Sequence, residues 1–256
     1  VEFAMLRGSA GHADEAGWAG RTLDASLALL DPVWGGLYQY STRRSWNNPH
    51  FEKIMSSQAA GLIAYGRAAA RGGDPRFREA ARKIEEYLDR FLTSPDGLFY
   101  ASQDADPRPG EHGSAYFSLG DAERRAAGVP RVDTALYPRE NCLAARALAL
   151  YGSWLERSAA VLRAAAVEKG IRTLHGKPDG TFGRNGPPVL ADSLACGEAA
   201  LAIYRVTGDR EALSRARRDG EIIVGRFVDA GQGGVWTTPP DDELPVAPVK
   251  TVDENI

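Results

Sequence analysis

The sequence predicts an all-α fold, an (α/α) toroid built from repeated helical hairpins. Three observations carry this expectation. Seven helix-length stretches run along the 256 residues, and no long strand pattern interrupts them. The connectors between them alternate between short and long. Composition alternates too: helices rich in Ala, Gly and Leu are followed by helices with charged stripes, as buried inner and half-solvated outer helices would be. An irregular helical bundle, the plainer alternative, requires neither alternation.

The first helix is expected over 13–30, followed by a long connector, 31–48. A second helix is expected over 49–71, with Asn48 as its N-cap and Pro49 as its first residue. It carries the apolar run Ala59–Tyr65 and ends at a tight Gly72-Gly73-Asp74-Pro75 turn. The third, 75–92, is striped with charge from Arg82 to Arg90, and a long connector, 93–138, follows it. The fourth and fifth, 139–154 and 156–174, are almost continuous. After 175–189, helices over 190–206 and 209–227 are joined at Thr207-Gly208-Asp209. An eighth helix is expected to begin near Asp253, so residues 1–256 read as a single toroid domain whose ring is incomplete at the C-terminal side. The start at Val1 rather than Met is what a piece of a longer protein would show.

A turn motif recurs after the first, third, fifth and seventh helices. Its copies are Pro32–Tyr38, Pro95–Tyr100, Pro178–Phe182 and Gln232–Trp236, each with glycine followed by an aromatic residue. Phe91 and Phe227, Gly97 and Gly233, and Tyr100 and Trp236 match at one offset of 136 residues. Glycine suits a chain leaving a helix through positive φ, and the aromatic then covers the core.

Composition narrows the function. Hydrophobic residues make up 43% and charged residues 25%, values of a globular domain rather than a disordered chain. The net charge of −3 offers no basic excess for phosphates, so no nucleic-acid partner is expected. No apolar run is long enough for a membrane span, no leader pattern is visible at Val1, and the compartment stays unassigned, with the cytoplasm slightly favoured. Phosphate-loop, dinucleotide, HExxH and GxSxG signatures are all missing, and the four histidines lack ligand spacing, so neither cofactor nor metal is expected. Cys142 and Cys196 read as two small buried residues, with a disulfide as the lesser alternative.

Polar candidates gather where the long connectors meet the inner-helix starts. The densest is Trp46–Lys53, which contains His50 and Glu52 and suits general acid–base work or sugar-hydroxyl binding; the structural alternative is helix capping. Next comes Ser102-Gln103-Asp104-Ala105-Asp106, whose paired carboxylates suit glycosidic chemistry, or simply a turn. Further acids open the other inner helices at Glu140-Asn141, Asp192 and Asp253. Tyr38, Tyr40, Trp46, Tyr100, Tyr116 and Trp236 lie in the same connectors. Carboxylates with aromatic faces suit sugar rings, although the aromatics could equally plug the core.

These segments resemble a known family. Asp31–Ala59, DPVWGGLYQYSTRRSWNNPHFEKIMSSQA, resembles the signature of the thioredoxin-domain-containing proteins related to spermatogenesis-associated protein 20, which pairs a GGGFHRYS-like stretch with PHFEKMLYDNA. Leu98–Asp106 is similar to its GFYSSxDAD segment, and similarities continue through Asp133–Leu143, Asp192, Tyr204–Asp209, Gly233–Trp236, Lys250 and Asp253. The resemblance implies a six-hairpin-glycosidase-like toroid, with the family's thioredoxin-like domain absent from this chain and available as a partner. It carries over Trp46, His50, Glu52, Asp104, Asp106, Asn141, Asp192, Lys250 and Asp253. The family's HR, YD and WNG stand here as Tyr38-Gln39, Ser56-Ser57 and Glu140-Asn141-Cys142, which marks a divergent member.

The leading expectation is therefore a carbohydrate-processing or carbohydrate-binding domain. Its catalytic candidates are Glu52, His50, Asp104, Asp106 and Asp192. Its substrate-binding candidates are Tyr38, Trp46, Tyr100, Gln103, Asn141, Trp236, Lys250 and Asp253. The alternatives are a non-catalytic scaffold that grips a peptide or partner beside a thioredoxin-like module, and a sugar epimerase-like enzyme with His50 as base.

Overall fold

The computed structural model describes residues 1–108, 110–183, 186–240 and 248–252; Asp253, the expected start of an eighth helix, lies outside them. The described residues are mainly helical. They form two compact units, one of Val1–Ala135 with Tyr151–Arg157, the other of Leu136–Leu150 with Ser158–Ile256.

In the first unit, α1 (Glu2–Ser9) and α2 (Ala13–Ser26) pack together, and a 3-10 turn, Leu27–Leu29, completes the expected first helix. The strands β1 (Tyr40–Ser41), β2 (Pro49–His50) and β3 (Lys53–Ile54) precede α3 (Met55–Ala70). α4 (Pro75–Phe91) returns against α3 after the Gly72–Asp74 turn, where Asp74 caps it by accepting from the Arg76 N–H. The long connector holds β4 (Ser102–Gln103), two short helices, α5 (Gly113–Phe117) and α6 (Asp121–Ala127), and β5 (Val132–Asp133). Neither short helix nor α1 is anticipated by apolar periodicity, because each is too short to repeat it. α7 (Pro138–Trp154) leads into the second unit, with α8 (Ser158–His175), α9 (Leu190–Thr207) and α10 (Arg210–Arg226).

Burial alternates as composition predicts. α3 buries residues around its circumference, including Met55, Gln58, Leu62, Ile63 and Tyr65, whereas α4 buries one stripe, Phe77, Ala80, Ala81, Ile84 and Leu88. In the second unit α9 buries Leu190, Cys196, Ala199 and Ile203, while α10 buries only Ala212 and Asp219. α10 is locked to α8 by a buried ion network, in which Arg172 bonds Glu168 and Asp219 and Arg215 bonds Glu168, and Arg172 also donates to the Cys196 carbonyl of α9. Cys142 and Cys196 are joined as a disulfide, a correction to their reading as separate small residues. The bond ties α7 to α9 across 54 residues, a proximity that no spacing rule supplies.

All four turn copies close through the same antiparallel bridge: Leu30 with Leu37, Thr93 with Phe99, Gly176 with Phe182, and Val228 with Val235. The structure further sorts them into two kinds. The middle copies are short turns around Gly97 and Gly180. The outer copies share a longer design. Asp31 accepts from the Val33 N–H, and Asp229 from the Gly231 N–H. Lys53 Nζ donates to Asp31 and the Gly35 carbonyl, and Lys250 Nζ to Asp229 and the Gly233 carbonyl. Each ammonium lies over the aromatic of its own turn, Tyr38 or Trp236. Asp31, Gly35, Gly36 and Tyr38 thus recur as Asp229, Gly233, Gly234 and Trp236, all 198 residues on. Both glycine pairs have φ between 73° and 80°. At Gly35 a Cβ would also lie 2.2 Å from the Lys83 carbonyl oxygen, so only glycine fits.

The first unit adds Arg124 to this design. Its guanidinium reaches Asp31 Oδ2 at 2.7 Å and the Leu119 carbonyl at 3.0 Å, giving a fully buried Arg124–Asp31–Lys53 triad. Burial draws the Lys53 ammonium down to about 8, against the opposing pull of Asp31.

Candidate functional site

The segment expected to open the second helix is extended instead. β2 pairs with β1, setting His50 opposite Tyr40, and α3 starts only at Met55. Asn48 is therefore not an N-cap, Pro49 not a first helical residue, and His50 and Glu52 do not lie in a helical first turn. The physical reason is Lys53. An extended backbone sends successive side chains to opposite faces, so Lys53 turns inward to Asp31 while Glu52 stays at the surface. The local Asn-Pro start signal loses to this buried pairing.

A three-stranded sheet, β3–β4–β5, builds the site from there. Lys53 faces Gln103, Ser102 faces Asp133, and the Asp104 N–H donates to the Arg131 carbonyl. Continuing the register by one residue sets Glu52 across from Asp104. Cross-strand neighbours have Cβ atoms about 5 Å apart, so the row Glu52–Asp104–Arg131 places two carboxylates side by side with a guanidinium beyond them. The opposite face, Lys53 and Gln103, is buried.

This row opens into a cavity of about 970 Å³. His50, Glu52, Asp104 and Asp106 all line it, as do Asp133 and His112, which sequence reasoning did not single out. His50 Nε2 stands 3.5 Å from Glu52 Oε2, both about one-third exposed, and its ring stacks on Tyr40. Asp104 Oδ1 accepts from the Asp106 N–H, and Asp133 Oδ1 from the Ala135 N–H. Arg43, Arg131 and the hydroxyl residues Thr42, Ser102 and Ser114 complete the polar wall. His112 arrives by the start of α5, where Gly113 lets the helix approach the Ala105 carbonyl; a Cβ there would sit 2.1 Å from that oxygen. Such an approach leaves no periodic signal. Four carboxylates, two imidazoles and two guanidiniums around one cavity are equipped for proton transfer to and from hydroxyl groups. No cluster of His, Cys, Asp or Glu among the described residues is arranged to hold a metal ion.

The remaining candidates lie elsewhere. Trp46 lines a separate cavity together with Tyr40. Tyr38 is buried, with its ring edge-on to Phe51 and Phe117, and burial pushes its phenol well above the usual range. Gln103 is buried and accepts from the Tyr87 hydroxyl. Tyr100 is half-buried in the turn, its N–H bonded to the Leu92 carbonyl. Lys250 and Trp236 belong to the turn lock of the second unit, where Asn141 is buried and donates to the Tyr137 carbonyl.

Asp192 also lies in the second unit, in the first turn of α9, and accepts from the Arg139 N–H at 3.1 Å. Burial raises its pKa, with Glu140 adding to the effect. A carboxyl whose folded pKa exceeds its unfolded value loses stability as pH rises through that window. Asp192→Asn is accordingly expected to raise the melting temperature slightly at pH 7, and to lose that advantage below about pH 3.8, the unfolded value. Thermal unfolding of both proteins at the two pH values checks this.

No family model matches the chain. It is 39% identical over 85 residues to spermatogenesis-associated protein 20 of Homo sapiens, a match covering 33% of this chain and 11% of that relative. Among solved structures, the unsaturated glucuronyl hydrolase of Bacillus sp. GL1 superposes with a TM-score of 0.68 and 14% identity, covering 88% of this chain and 61% of that one. Cellobiose 2-epimerase of Spirochaeta thermophila DSM 6192 gives 0.65 at 17% identity, covering 90% and 58%. The chain thus spans about a tenth of the curated relative and about three-fifths of these structures. At such identities the likeness shows the fold, the helical-hairpin toroid class shared by glycoside hydrolases and sugar epimerases. No helix among the described residues is long and apolar enough to cross a membrane.

Proposed function

We propose that this chain, a divergent member of the spermatogenesis-associated protein 20-like family with a six-hairpin-glycosidase-like fold, binds a carbohydrate in the 970 Å³ cavity and acts on it by acid–base chemistry. The observation that carries the reading is the convergence of Glu52, His50, Asp104 and Asp106 on one cavity, with Glu52 and Asp104 adjacent in the sheet. One carboxyl serves as proton donor to a leaving oxygen. The other, as its carboxylate, serves as nucleophile or base. The hydroxyls of Thr42, Ser102 and Ser114 along the wall orient the sugar.

A second reading, of isomerisation rather than hydrolysis, is favoured by one observation: two imidazoles, His50 and His112, line the same cavity. A proton removed by one and returned by the other would epimerise a sugar at a carbon next to a carbonyl. Product analysis over a panel of reducing disaccharides tests both, since cleavage yields monosaccharides and epimerisation a disaccharide of the same mass. Retention of every substrate unchanged, with no binding by calorimetry, would leave the non-catalytic scaffold as the better account.

A further inference from the structure

A second cavity, of about 420 Å³, adjoins the first across the β1–β2 hairpin. Its chemistry differs. Tyr40 and Trp46, exposed at 49% and 38%, line it together with Arg43 and Arg44. No carboxylate does. Neither guanidinium has an ion-pair partner among the described residues, whereas most other arginines of this unit are paired. Arg43 lines both cavities, and the stacked Tyr40–His50 pair spans the boundary, Tyr40 on one side and His50 on the other.

We infer that this second cavity is a subsite for an acidic sugar unit, one bearing a carboxylate or a sulfate, attached to the unit that occupies the larger cavity. The inference rests on the carbohydrate reading above and deepens it to a substrate class: anionic oligosaccharides of at least two units. Indole and phenol faces suit the C–H face of a pyranose ring. Two guanidiniums without ion-pair partners among the described residues suit a carboxylate or a sulfate, whose oxygens a guanidinium engages two at a time. The larger cavity, lined by four carboxylates, repels the same anion and so fixes the direction in which the substrate lies.

The test uses three disaccharides that differ at one carbon: a glucose disaccharide, its counterpart with one ring oxidised to glucuronate, and its 6-sulfate. Binding to the whole chain is measured by calorimetry at low and high salt. The glucuronate or the sulfate form, or both, should bind about tenfold or more tightly than the neutral sugar. The preference should shrink as salt rises, and in the Arg43→Gln/Arg44→Gln double variant the ratio should fall to near one. Which anion gains more separates a carboxylate site from a sulfate site. Equal affinity for all three in the wild type, or a preference that survives in the double variant, overturns the inference while leaving the carbohydrate reading intact. Absence of binding to any of the three overturns both.

Discussion

Asp31→Ala is expected to destabilise the protein by about 3–5 kcal/mol, the range for removing one partner from a buried ion pair. Asp31 is fully buried, with one carboxylate oxygen 2.7 Å from both Lys53 Nζ and Arg124 Nη1. Its removal strands an ammonium and a guanidinium in an interior lined by Tyr38, Tyr87 and Phe117. The matching change in the second unit, Asp229→Ala, should cost much less, since Lys250 and Asp229 keep side-chain exposures of 22% and 15% and water replaces the lost partner. Lys53→Met should fall between them, because the Arg124–Asp31 pair survives it. Denaturant unfolding of the three variants gives the order directly. Equal costs at Asp31 and Asp229 would show that the triad is no more than a repeated turn lock. The effect has a pH signature. Burial alone would raise the Asp31 carboxyl, but Lys53 and Arg124 hold it below the usual range. Its contribution is therefore present above the unfolded value of 3.8 and lost as pH falls through the lower folded value, so wild type and Asp31→Ala should converge in acid.

Glu52→Gln is expected to reduce sugar turnover by about 10²–10⁴-fold while leaving the melting temperature nearly unchanged. The two halves of this expectation have separate causes. Glu52 is about one-third exposed and its neighbour His50 is 3.5 Å away on a partly solvated surface, so the contact is worth about 1 kcal/mol or less. No helix dipole enters, because Glu52 precedes α3 rather than opening it. The amide keeps the shape of the side chain but neither gives nor takes a proton at neutral pH. Steady-state rates and thermal unfolding of the two proteins, side by side, distinguish the outcomes. A large fall in melting temperature would make Glu52 structural. Unchanged turnover at unchanged stability would remove it from the chemistry.

The hairpin rhythm was legible because it is local. Gly72–Pro75 and Thr207–Asp209 are turns in any context, and the apolar composition of 59–65 and 199–204 reports burial without knowledge of the partner helix. The recurring Gly-aromatic turn was legible for the same reason. Its division into two kinds was not. Matching Gly97 to Gly233 overlooks that Asp229 and Lys250 repeat Asp31 and Lys53, a relation visible only once both lysines are seen to fold back on their own turns. Residues 49–54 misled because Asn48-Pro49 carries a genuine helix-start signal, while the forces that extend this segment come from Asp31 and from β4, far away in sequence. Arg124 joins the triad across 93 residues, and the disulfide closes across 54, distances at which no periodicity speaks. Half of the site followed from composition, since carboxylates and a histidine crowded into two loop segments are visible as such. His112 and Asp133 were not legible as site residues, because α5 and β5 deliver them from the later part of the 93–138 connector, where no periodicity or polar cluster marks them.

The central claim is that carbohydrate occupies the cavity formed by 42–52, 102–106, 112–114 and 131–133. Hydrogen–deuterium exchange of the whole chain, with and without a saturating disaccharide, tests it most directly. The account predicts slowed exchange confined to those four segments, with 40–41 joining them and 42–46 slowed further when the sugar carries an acidic unit. Protection centred on the second unit, around 176–190 or 228–237, or no protection under conditions where calorimetry records binding, would contradict it.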